Sequence, residues 1–193
     1  MDDNVKKFVN ISIYISAIFL LIRCAISFGD IKQLWEDGSL LSVGYSFWCY
    51  IGESIGGAAI IMAIFNKWAW RWKVVRYFHD VPVFSKKYRG TFISNYDHQR
   101  RHGEIFIAQT FLSVSVRLKT EESSSRSIVA TLHKTQSVDR LIYTYQNEPR
   151  AEIRSRSPIH YGTAILDITN SSILEGNYYT DRNTSGSMKF EAV

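Results

Sequence analysis

Hydrophobic and polar residues follow two regimes along this chain. From 8 to 28 (FVNISIYISAIFLLIRCAISF) and from 43 to 65 (VGYSFWCYIGESIGGAAIIMAIF) apolar residues run almost unbroken, interrupted only by Arg23 and Glu53 as charges. At ~1.5 Å rise per residue, either run covers a hydrocarbon core of roughly 30 Å, so each predicts a transmembrane helix. The stretch 29–42 is short, and the two helices should form a hairpin. A cleaved signal peptide would need a shorter apolar core and a small-residue cleavage site, which the segment from Arg23 to Phe28 does not resemble. From Val81 onward the pattern becomes short alternating segments broken by turn formers, which predicts an all-β sandwich or barrel. Expected strands cover 87–96, 104–111, 113–120, 126–134, 141–146, 161–169, 173–181 and 187–191. HQRRHG, EESSS, NEPRAEIRSRSP, TNSS and RNTSG read as turns, with Gly186 or Asn183 as a left-handed residue.

The fold class expected is therefore a two-helix transmembrane hairpin (1–80, with a cytoplasmic linker) and an all-β domain (81–193), a small closed antiparallel barrel of about eight strands. Tyr45, Trp48 and Tyr50 near the start of the second run, and Trp68, Trp70 and Trp72 after its end, suit the head-group layer. Lys6 and Lys7 precede the first run and Lys67, Arg71, Lys73 and Arg76 follow the second, against Lys32 in the connector, so both chain ends should be cytoplasmic. Arg23 and Glu53 are costly in lipid. Either they act in membrane assembly, or Arg23 snorkels outward and Glu53 finds a partner in the other helix or a neighbouring chain. Gly52 and Gly56 form a GxxxG spacing beside Ala58 and Ala59, which suits close helix association between subunits or within the hairpin.

Strand periodicity groups Tyr88, Gly90, Phe92 and Ser94 on one face, Leu141, Tyr143 and Tyr145 on another, and Gly176, Tyr178, Thr180 and Arg182 on a third. Rings, glycines and hydroxyls with one arginine are an odd filling for a dry core. They suit stacking a base and hydrogen-bonding a phosphate or sugar. The candidate ligand residues are Tyr88, Phe92, Gln109, Tyr143, Tyr145, Tyr178, Thr180 and Arg182. The alternative is that these tyrosines lie outside the barrel and the glycines only permit bends. Ser123 to Ser125 read most simply as a solvated hairpin, although Ser125 and Ser127 can point inward.

A net charge of +5 favours a polyanionic partner without choosing among nucleic acid, lipid head groups and a phosphorylated ligand. Cys24 and Cys49 fall in the apolar runs and imply neither a disulfide nor a zinc site. His98 and His102 have metal-pair spacing only on a helix. There is no Gly-rich phosphate loop, GxSxG elbow or CxxC pair, so no enzyme, metal or cofactor is expected.

The arrangement of two N-terminal runs before a barrel, with YRGTF at 88–92, IAQTF at 107–111, ESSSRSIVATL at 122–132, LIYTYQNEP at 141–149, HYGTAIL at 160–166 and GNYYTDRNTSGSM at 176–188, carries a resemblance over essentially the whole chain. It resembles the two-transmembrane, β-strand-rich effectors of cyclic-oligonucleotide-based anti-phage signalling systems (CBASS), which are encoded beside a cGAS/DncV-like nucleotidyltransferase that makes cyclic nucleotides. The resemblance implies a bacterial inner-membrane receptor whose barrel binds a cyclic dinucleotide made on phage infection. Homo-oligomerisation, disruption of the membrane lipids and abortive infection would follow. A lipocalin-like barrel carrying a lipid is the runner-up, and predicts a mostly aliphatic lumen; a structural adaptor, the third account, predicts a filled interior.

Overall fold

The computed structural model describes residues 3–134 and 138–193. The chain divides into two compact units, Met1–Phe78 and His79–Val193. In the first, α1 (Asp3–Ile26) and α3 (Leu40–Lys67) are both long and apolar enough to cross a membrane. Between them the connector is itself helical, as α2 (Phe28–Glu36), where the sequence suggested only a short link. α3 packs along α1 and buries Val43, Tyr50, Ser54, Ala58 and Met62 on one stripe. The opposite faces carry exposed large side chains: Leu21 is 71% exposed, Leu41 93% and Trp48 75%. Such surface is costly in water and ordinary in lipid. The hydroxyls of Ser16, Ser46 and Ser54 each donate to the carbonyl four residues back, so they bring no unmet polar group into the span.

The second unit is a closed antiparallel barrel in which every strand pairs with its neighbour in sequence and the last pairs with the first. Its strands are β1 (Lys87–Ser94), β2 (Arg100–Gln109), β3 (Val114–Thr120), β4 (Ser123–His133), β5 (Asp139–Pro149), β6 (His160–Asn170), β7 (Ile173–Thr180) and β8 (Ser185–Ala192). All eight expected strands exist. Closure leaves no open edge, which a lone sheet of this size would have to protect. Asn183 and also His98 take left-handed backbone (φ 56° and 54°), whereas Gly186 lies inside β8.

The barrel has a base and a mouth. At the base the chain enters through residues 79–86. Tyr88 seals it: its phenol accepts the Ser85 N–H at 3.0 Å and donates to the Ser171 carbonyl at 2.6 Å. Gln109 clamps the entering segment, accepting the Phe84 N–H at 3.1 Å and donating to the Pro82 carbonyl at 2.7 Å. Above them Ile105, Leu141, Leu166, Leu174 and Phe190 are fully buried. Alternating side chains from all around the barrel fill its lower half as one continuous buried core.

Candidate functional site

Toward the mouth, formed by the β1–β2, β3–β4, β5–β6 and β7–β8 turns, the inner wall changes character. Paired inward positions there are Phe92 with Arg101, Ser125 with Asn147, Tyr145 with Gly162, and Tyr178 with Gly186. The glycines make room for rings. A Cβ at Gly162 would lie 2.5 Å from the Tyr145 ring, and one at Gly186 would lie 2.6 Å from the Tyr178 ring, so each tyrosine lies over the bare backbone of the next strand. Tyr178 also meets Phe92 edge-on, with ring centroids 6.3 Å apart. The Ser125 hydroxyl donates to Asn147 Oδ1 at 2.9 Å, which leaves the Asn147 amide donors for another partner.

Burial dominates the tyrosine acidities. It pushes the phenols of Tyr143, Tyr145 and Tyr178 up, with Ser94 and Arg101 opposing the shift at Tyr178. All three present neutral rings and hydroxyls. The Tyr143 hydroxyl is buried just below the cup and has no hydrogen-bond partner among the described residues.

Of the expected ligand residues, Phe92, Tyr145, Tyr178 and Thr180 come together at the mouth and Tyr143 lies beneath them. Tyr88 points inward as expected but sits at the base with Gln109, where both are spent on closing that end. Arg182 does not continue the β7 face. β7 ends at Thr180, and Arg182 occupies the following turn, exposed, donating to the Ser157 hydroxyl at 3.0 Å. Arg101 was missed because HQRRHG reads as a turn, yet β2 begins at Arg100 and places Arg101 on the inner wall.

Arginines tie the rim together: Arg101 to Asp97, Arg156 to Glu122 at 2.5 Å, and Arg182 to Ser157. The Arg101 guanidinium holds the Asp97 carboxyl well below the usual range, at about 2. A separate groove of about 580 Å³ lies on the outer wall over the Gly90–Gly103 pair, lined by Arg89, His102, Glu104, Lys119 and Arg150 among others. It carries charges of both signs but no phenyl, phenol or indole ring. The mouth, with flat rings beside hydroxyls and a cation, is the better match to a base-and-phosphate ligand.

In the hairpin, Arg23 and Glu53 partner one another, Nε to Oε2 at 2.8 Å, and the guanidinium also lies 4.4 Å from the Tyr50 ring centroid. The glycine used between the helices is Gly57, where a Cβ would come within 2.9 Å of the Phe19 ring. At Gly52 and Gly56 a Cβ would meet nothing within 4 Å.

Residues 79–192 match the family described as Cap15, cyclic dinucleotide receptor domain. The chain belongs to the Cap15 family. The match spans the barrel, from the start of the base segment to the end of β8. Across its full length the chain is also 27% identical to CD-NTase-associated protein 15 of Staphylococcus schleiferi, covering 100% of both chains. The resemblance drawn from the motifs to two-transmembrane CBASS effectors thus holds, and the family is described as a cyclic dinucleotide receptor domain.

Proposed function

We propose that the chain is a CBASS effector whose barrel mouth binds a cyclic dinucleotide, with both termini in the cytoplasm and the hairpin in the bacterial inner membrane. The observation that carries this is the change of the inner wall from an aliphatic middle to rings, amides, hydroxyls and a guanidinium at the mouth, whereas the polar groups of the base are taken up in closing it. Tyr145, Tyr178 and Phe92 supply faces for the bases. Asn147 and Ser125 supply hydrogen bonds, Thr180 holds the β7–β8 turn beside them through Thr184, and Arg101 with the rim arginines Arg150, Arg154, Arg156 and Arg182 supplies countercharge for two phosphates. Tyr145 and Tyr178 are only 7% and 8% exposed, so entry requires the rim to part. A lipid cargo fits less well, because the aliphatic half of the lumen is already filled.

Binding then favours assembly of the hairpins, which disrupts the membrane and stops phage release. A ligand shifts an equilibrium only through differential affinity, and moving from 1:99 to 99:1 takes about 5.5 kcal/mol. The Gly52 and Gly56 face, unused by the intramolecular packing, suits the contact between copies. Purified full-length protein in detergent should bind at least one of a panel of labelled cyclic dinucleotides and grow in mass on doing so. Tyr178→Leu, checked for an unchanged fold, should weaken binding about ten-fold or more. Equal affinity in that variant would place the ligand elsewhere, with the outer groove next in line.

A further inference from the structure

Arg101 is the cation that the barrel register places on the inner wall of the mouth, opposite Phe92. Its guanidinium is not free in the cup. Nη1 donates to Asp97 Oδ1 at 3.0 Å and Nη2 donates to Asp97 Oδ2, a two-pronged pairing. Asp97 belongs to the β1–β2 turn, and its Oδ1 also accepts the Gln99 N–H at 3.2 Å. The turn is closed by the His98 N–H on the Ser94 carbonyl at 2.9 Å, with His98 in left-handed backbone. Ser94 is the last residue of β1, and the ion pair joins the bonds that hold this turn to the wall, among them the Asn95 N–H on the Ser185 carbonyl at 2.8 Å and the Ser185 N–H on Asn95 Oδ1 at 2.9 Å.

A guanidinium fork recognises two oxygens on one centre, and it does so equally for a carboxylate and for the two non-bridging oxygens of a phosphodiester. The Asp97 carboxylate takes both prongs of the fork. While it is there, the Arg101–Asp97 unit is neutral, and the wall gives an incoming anion little attraction. Other charges near Arg101 do not replace Asp97: the closest acidic influence beyond it is Glu122, which is itself taken by Arg156.

We propose that Asp97 is a built-in mimic of the ligand's phosphate, occupying Arg101 in the empty receptor and displaced when a cyclic dinucleotide binds. The proposal rests on the mouth being the ligand site. Displacement does two things. It transfers Arg101 to the phosphodiester, and it loosens the Asp97–Gln99 part of the β1–β2 turn, while Asn95 stays bonded to Ser185. The resting contact lowers apparent affinity by the fraction of receptors in which Arg101 is free, which sets a ligand threshold below which the receptor stays silent.

The test compares full-length wild type, Asp97→Asn, Arg101→Gln and the double variant in detergent, each checked by thermal melting, against labelled cyclic dinucleotides. Asn keeps an acceptor for the Gln99 N–H, which preserves the turn. Asp97→Asn should bind about ten-fold tighter and assemble at correspondingly lower ligand, Arg101→Gln should bind at least ten-fold more weakly, and the double variant should gain nothing over Arg101→Gln. In wild type, amide exchange of Gln99, whose N–H rests on Asp97 Oδ1, should quicken on binding. Weaker binding by Asp97→Asn would make Asp97 a residue that positions Arg101 for the ligand and overturn the proposal. A gain that persists without Arg101, or slower exchange of Gln99 on binding, would overturn it as well. If wild type bound none of the dinucleotides, the mouth would lose its role and this contact with it; wild-type binding with a Tyr178→Leu defect but no Asp97→Asn gain would sink the mimic alone.

Discussion

Tyr143 carries a buried phenol oxygen that finds no partner among the described residues, and a buried unpaired hydroxyl costs a fold on the order of 1 kcal/mol or more. Tyr143→Phe should therefore leave the empty barrel as stable as wild type or about 1 kcal/mol more so, and should weaken ligand binding if the hydroxyl serves the guest. The sign with pH follows from burial, which raises the phenol in the folded state. The neutral form favours folding, that contribution is complete below the unfolded tyrosine pKa near 10, and it is lost as pH rises above it. Thermal melts should separate wild type and Tyr143→Phe increasingly above about pH 10, the phenylalanine variant losing less. An early loss of stability in the variant at pH 7 would mean the hydroxyl is bonded after all. Residues such as Tyr145 and Tyr178 were legible because a period of two fixes their face once the strand is found. Arg101 was not, because two arginines between His98 and His102 look like a solvated turn, and Arg182 was misplaced because alternation gives no sign of where a strand stops.

Among the elements, four strand ends were cut short for one cause. The sequence started β2 at 104, β4 at 126 and β8 at 187 and ended β5 at 146, whereas these strands run from Arg100, Ser123 and Ser185 and to Pro149. Each of these four ends lies at the mouth. Polar residues there line a wall rather than a loop, and a rule that equates polarity with turns cuts the strands short where the lumen turns polar. The helices show a parallel case. GxxxG marked Gly52 and Gly56, but the hairpin is packed through Gly57 on Phe19, and the GxxxG face stays open. Two substitutions should therefore separate. Gly57→Leu should disturb the hairpin itself, seen as lower melting temperature and increased protease nicking of the connector in detergent. Gly52→Leu with Gly56→Leu should leave monomer stability unchanged while reducing ligand-driven assembly several-fold, by crowding a contact that needs close backbones. Assembly at wild-type levels in that double variant would move the contact to another face.

At the scale of the whole molecule, the partition between apolar helices and a barrel was the most legible feature, because lipid and water impose different hydrophobic periods and no boundary precision is needed to tell them apart. Orientation rests on a smaller quantity. Lys6 and Lys7 flank one end of the hairpin and Lys67, Arg71, Lys73 and Arg76 the other, while the connector opposes Lys32 with Asp30, Glu36 and Asp37. Basic residues near span ends resist translocation, whereas acidic ones contribute little, so the asymmetry predicts a connector outside and a barrel inside. A green fluorescent reporter fused after Val193 should be bright, and an alkaline phosphatase fused at the same point inactive. Replacing Asp30, Glu36 and Asp37 by lysine, together with neutralising Lys67, Arg71, Lys73 and Arg76, should reverse that balance and carry a fraction of the barrels outward, detected as phosphatase activity. An active phosphatase on the unaltered chain would put the mouth in a compartment that a cyclic dinucleotide made in the cytoplasm does not reach, and no affinity measured in detergent would then rescue its role as an intracellular receptor.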